Sequence, residues 1–96
     1  NISPNAFNDL NNLIELVLSN NRLIEIKNET FVGLNNLEIL SLSYNQITHI
    51  ETNSFDHMIK LKSLYLSFNR LKSISGELFK SLINLNILWL NNNKIE

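Results

Sequence analysis

The chain has 96 residues, with 8 Lys and Arg against 9 Asp and Glu, no Cys, one Pro and two Gly. That length accommodates one small domain, and the near-zero net charge leaves no electrostatic footprint for nucleic acid or an anionic membrane surface. The absence of Cys rules out a disulfide framework and a thiolate metal cluster, no apolar run approaches the roughly 20 residues of a spanning helix, and the segment is not expected to insert into a membrane. Hydrophobic residues make up 44% and are evenly spread, which argues against disorder.

Taken in chain order, the sequence repeats itself. It opens on Ile2, Phe7 and Leu10, and then runs through Leu13, Leu16, Leu18, Asn21 and Leu23. Twenty-four residues later the same pattern returns as Ile26, Phe31, Leu34, Leu37, Leu40, Leu42, Asn45 and Ile47. The third pass is Ile50, Phe55, Met58, Leu61, Leu64, Leu66, Asn69 and Leu71. The fourth is Ile74, Phe79, Leu82, Leu85, Leu88, Leu90, Asn93 and Ile95. Eight columns hold without insertion or deletion, and four units of 24 residues fill positions 1–96.

Each unit contains a block of the form LxxLxLxxNxL, at 13–23, 37–47, 61–71 and 85–95. In Leu16-Val17-Leu18 the period-2 alternation predicts a short strand with both Leu inward, and equivalent strands should stack in parallel about 4.8 Å apart. An Asn side chain both donates and accepts. The column Asn21, Asn45, Asn69, Asn93 can therefore satisfy backbone groups of its own and the neighbouring coil. The column Phe7, Phe31, Phe55, Phe79 predicts a spine filling the thicker opposite side. No unit can bury its apolar face alone, so stability sums over neighbours.

The LxxLxLxxNxL blocks, the 24-residue step and the Phe five residues after the Ile resemble the leucine-rich-repeat family in its typical animal subclass. Repeats of that kind occur in Toll-like and adhesion-receptor ectodomains. One departure is Ser3, Lys27, Glu51 and Ser75 where Pro often follows the Ile column. The resemblance implies an α/β solenoid, a horseshoe with a concave parallel sheet of about four strands and a mostly irregular convex side. It also implies non-catalytic recognition of proteins or other ligands, here a protein ligand on an extracellular or cell-surface receptor or adhesion glycoprotein, while the near-zero net charge predicts no nucleic acid partner. The alternatives are a structural spacer, or an intracellular regulatory or scaffold array in the cytoplasm. The chain starts and stops out of phase with its repeat and shows no distinct ends, which predicts an internal fragment without caps.

Positions free of core duty are where a ligand would bind. The outward columns hold Glu15, Ile39 and Ile87, then Val17, Ser41, Tyr65 and Trp89, with Tyr44 and Phe68 just past the strand. Trp and Tyr dominate interface hot spots, although the same aromatics also suit cross-strand packing. Ser19, Ser43 and Ser67 share a column with no His or acid, so nucleophilic catalysis is not expected. His49 and His57, with Asp56 and Glu51, fall short of a converging ligand set, so neither a metal nor another cofactor is expected. Gly33 and Gly76 stand alone and form no phosphate loop. Sequons occur at Asn1 and Asn28, and composition alone gives about 2.4 in such a chain, so both are glycosylation candidates only.

Overall fold

A computed structural model describes residues 2–95. The elements are β1 (Glu15–Val17), β2 (Glu25–Ile26), β3 (Ile39–Ser41), β4 (His49–Ile50), β5 (Ser63–Tyr65), a 3-10 helix (Gly76–Phe79) and β6 (Ile87–Trp89). Strands β1-β3-β5-β6 form one parallel sheet in that order, and β2-β4 form a second. The register pairs Leu16 with Leu40, Leu40 with Leu64 and Leu64 with Leu88, a step of one repeat at each strand. Each strand sits one residue earlier than the alternation suggests, which leaves the central Leu pointing inward.

The apolar columns meet between the two sheets. Leu34, Leu37, Leu40, Leu42, Ile47, Phe55, Met58, Leu61, Leu64 and Leu66 are fully buried. In the outer coils Leu13, Leu16, Leu18, Leu85, Leu88 and Leu90 are half-buried, because each packs on one neighbouring coil only.

The Asn column closes every coil to the next. Asn69 Oδ1 accepts from the Ile47 N–H at 3.0 Å, and its Nδ2 donates to Leu42 O at 3.0 Å and Leu66 O at 3.2 Å. Asn45 does the same for Leu23 N–H, Leu18 O and Leu42 O. Asn93 bonds Leu71 N–H, Leu66 O and Leu90 O. Asn21 is exposed and reaches only Leu18 O and Ser19 O within its own turn. A second polar ladder runs elsewhere on the coil: Asn36 Nδ2 donates to Asn11 O, Asn84 Nδ2 to Ile59 O, and Lys60 Nζ to Asn36 Oδ1.

Phe7, Phe31 and Phe55 stack ring on ring, 6.2 Å between centroids at each step. The fourth coil differs. Ser75 caps the 3-10 helix by accepting from the Glu77 N–H, and Leu78 is buried where Thr30 and Ser54 sit in earlier coils. The bulkier Leu78 takes interior volume, and Phe79 is left half-buried against the core.

Candidate functional site

After each strand the chain must turn sharply while keeping its bond to the next coil. Asn20, Tyr44, Phe68 and Asn92 solve this with φ between 58° and 62°. In that conformation the N–H of Asn20, Tyr44 and Phe68 still donates to Ser43 O, Ser67 O and Asn91 O respectively. Asn tolerates the left-handed region, whereas a bulky residue there bears a cost of about 1–2 kcal/mol. Tyr44 and Phe68 therefore occupy positions that backbone energetics would assign to Asn. Their rings stack at 4.5 Å with planes 7° apart, which returns about 1 kcal/mol. Strain of this kind gathers at functional sites.

Around this pair lies an open cleft of about 350 Å³, lined by Ser43, Tyr44, Ser67, Phe68, Trp89 and Asn91. Tyr44 is 52% exposed, Phe68 40% and Trp89 56%, so the cleft presents three aromatic surfaces to solvent. The hydroxyl of Ser67 donates to Asn91 Oδ1 at 2.6 Å, and Asn91 Nδ2 donates to Asn92 Oδ1 at 2.8 Å. Tyr65 stands edge-on to Trp89, 4.9 Å between centroids at 82°, and fixes that indole without lining the cleft.

The remaining candidates lie outside the cleft. Glu15 and Val17 are exposed on β1, Ile39 and Ser41 are half-buried on β3, and Ile87 is 40% exposed on β6. Ser41 Oγ shares a 2.6 Å hydrogen bond with Ser19 Oγ. Asn28 is exposed, beyond the four-stranded sheet and its edge. Its backbone N–H donates to Glu51 Oε1 at 2.7 Å, and Thr30 of the same sequon is buried. Asn1, the other sequon, falls outside the described residues. Among the described residues no three His, Cys, Asp or Glu side chains converge as a metal site.

Charge is segregated along the repeat in a way the total conceals. The half-coils 16–24, 40–48, 64–72 and 88–96 hold Arg22, Arg70, Lys72 and Lys94 against one acid, Glu96. The rest of the sequence holds the other four Lys and eight acids. The ion pairs lie there too: Lys27–Glu25 at 3.9 Å, Lys62–Glu38 at 3.2 Å and Lys80–Glu77 at 3.1 Å. Residue type and column single out Tyr44, Phe68 and Trp89. Ser67 and Asn91 stand in an outward column to which the sequence assigns no binding role, and Lys72 reads with Lys60 and Lys62 as a solvated face. Arg22, Arg70 and Lys94 are found only by counting charge over corresponding halves of each 24-residue unit.

The strained pair separates scaffold from site. Replacing Tyr44 and Phe68 together by Asn removes one stack and the burial of two half-exposed rings, about 3 kcal/mol, and relieves two left-handed bulky residues, about 2–4 kcal/mol, so the effects oppose. Stability of the double variant is expected to stay within about 1 kcal/mol of the parent by urea denaturation. A loss of about 3 kcal/mol would make the pair scaffold.

Comparison with known proteins completes the site's description. Profiles described as "Leucine rich repeat" and "Leucine Rich repeats (2 copies)" match residues 1–36 and 12–71, and 59–96. No curated protein matches the chain in sequence. Among solved structures, the complex of TLR13 with ssRNA13 is 44% identical over 98% of this chain, with a TM-score of 0.92. Two structures of the Drosophila Toll–Spatzle complex are 28% and 25% identical over 94% and 97% of the chain, with TM-scores of 0.86 and 0.87. The chain spans only 13%, 14% and 12% of those proteins. The TLR13 likeness corrects one expectation. A near-zero net charge does not exclude a nucleic acid partner, because here it is the sum of half-coils with four cations to one acid and a remainder with four Lys to eight acids. The four-coil parallel solenoid, its Asn ladder and these matches place the chain in the leucine-rich repeat family.

Proposed function

We propose that this chain is a ligand-recognition segment of an extracellular or cell-surface receptor, a single array of four coils over 1–96. Its ligand is a single-stranded nucleic acid, lying along the aromatic edge of the concave sheet. The observation that carries this reading is that the half-coils carrying Tyr44, Phe68 and Trp89 also carry, with their repeat equivalents, Arg22, Arg70, Lys72 and Lys94 against a single acid. Proteins that hold single strands combine cations along the backbone path with aromatic surfaces for the bases. The RNA in the TLR13 complex supports the same reading.

Each cation on the path displaces counterions, so binding should weaken as salt rises. Replacing Arg70 by Gln is expected to weaken binding of a single-stranded RNA and to flatten its dependence on log salt by about 0.7. Fluorescence anisotropy across a salt series measures both quantities. An unchanged slope would remove Arg70 from the path.

A second reading, a protein ligand, draws on the exposed Val17 at 58%, Ile87 at 40% and Trp89 at 56%, and on the likeness to the Toll–Spatzle structures. Apolar anchors of this type suit a protein surface. That mode predicts affinity nearly independent of salt.

A further inference from the structure

The aromatic stack at the sheet edge is unfinished. Tyr44 covers one side of Phe68, but the next residue in the column is the exposed Asn92, and the stack ends at Phe68. The open cleft occupies the space between that ring, Trp89 and Asn91. Its volume of about 350 Å³ suits one planar heterocycle with its solvation. We infer that this cleft is a slot for a single unpaired nucleobase, which continues the Tyr44–Phe68 stack beside Trp89 while its phosphates run past Arg70 and Lys94. This rests on the nucleic acid reading above and assigns it one place in the fold.

The polar rim fits a base better than an aliphatic or aromatic side chain of a protein. Asn91 spends one Nδ2 hydrogen on Asn92 and one Oδ1 lone pair on Ser67, and keeps a second donor and a second acceptor. A base edge carries both kinds of partner, whereas a phenyl or aliphatic group would leave them unmet. Arg70 lies two residues past Phe68, and Lys94 occupies the same column one coil on, where its N–H donates to Leu71 O. Both cations thus follow the cleft residues by two or three positions in their coils, the side of the slot to which the inference assigns the phosphates. No carboxylate lies within 4.0 Å of Arg70 or Lys72 among the described residues.

The test uses two fluorescent single strands of about ten nucleotides, an oligouridylate and an abasic strand of equal length. Both carry the phosphates, and only the first carries bases. Trp89 is the single Trp of the chain, so its own fluorescence reports on the slot. The intact chain is expected to bind the oligouridylate about tenfold more tightly than the abasic strand, with Trp89 quenched by the first alone. Phe68→Asn, which suits the backbone there, should erase that difference and leave abasic binding unchanged, and Phe68→Tyr should restore it.

Equal loss for both strands in Phe68→Asn, or equal affinity of the intact chain for both, would overturn the slot and leave the nucleic acid reading standing. Failure of both strands to bind at low salt would overturn both. Quenching by a phenylalanine-bearing peptide but not by the oligouridylate would assign the cleft to a protein ligand instead.

Discussion

Replacing Asn69 by Ala should cost about 4 kcal/mol, most of the stability a chain of this size commands. The side chain is 6% exposed and ties the backbone of two coils together at three points through one amide. Its loss strands the Ile47 N–H, held at 3.0 Å, and takes a donor from Leu42 O and Leu66 O. No water replaces them, because Leu42, Ile47 and Leu66 are fully buried around the site. Each stranded group costs about 1–3 kcal/mol, and a stranded N–H is worse than a carbonyl with one lone pair unused. Asn21→Ala is the control, since that exposed side chain bonds only within its own turn and should cost under about 1 kcal/mol. Urea denaturation followed by circular dichroism distinguishes the two. Similar midpoints for both variants would show that the column does not hold the coils together.

Gly33→Ala is the second large effect, expected at about 3 kcal/mol. Gly33 has φ +100°, where an L side chain is strained whatever space surrounds it. There is also no space. A Cβ would stand 2.7 Å from Asn8 Cα and closer still to Asn8 O, which is backbone and cannot swing away. The variant must push the first coil off the second, separating Phe7 from Phe31 and lengthening the Asn5 N–H to Glu29 O bond of 3.1 Å. Amide hydrogen exchange should therefore rise at Asn5 before it rises at Leu64. Gly76→Ala is the contrast, because a Cβ there meets nothing within 4 Å. Equal stability of the two variants would mean that the first coil is not seated as described.

The 24-residue period made the sheet legible from sequence. Once Leu16, Leu40, Leu64 and Leu88 share a column, a strand step of one repeat is the one register that buries them all. The Asn ladder was legible for a related reason, since a repeated residue that donates and accepts has to serve repeated backbone. The β2-β4 pair was not, because two residues such as Glu25-Ile26 are too short for any periodicity to show. Phe79 looked like the fourth ring of the spine because its own column predicts it. It lies in an outer coil and is half-buried, as Phe7 is, while the neighbouring interior position is taken by Leu78 in place of the small Thr30 and Ser54.

Legibility of the site followed the same division. Tyr44, Phe68 and Trp89 stood out by residue type and column. Their convergence on one cleft depended on a left-handed backbone, and Asn20 and Asn92 hint at that only in hindsight, since Asn is common everywhere in this chain. The cation columns were obscured for an arithmetic reason. Summed over 96 residues they vanish against nine acids, and summed over one half of each coil they stand four to one. Solenoids place each column on a fixed strip of surface, so charge in such proteins is informative by column and not by total.

The most direct measurement is the affinity of the 96-residue chain for a single-stranded RNA as a function of salt. With up to four cations on the strand's path, log affinity should fall against log salt with a slope of about −2 to −3. A slope near zero, or no binding at low salt, would contradict the account and make the four-to-one cation excess an accident of composition.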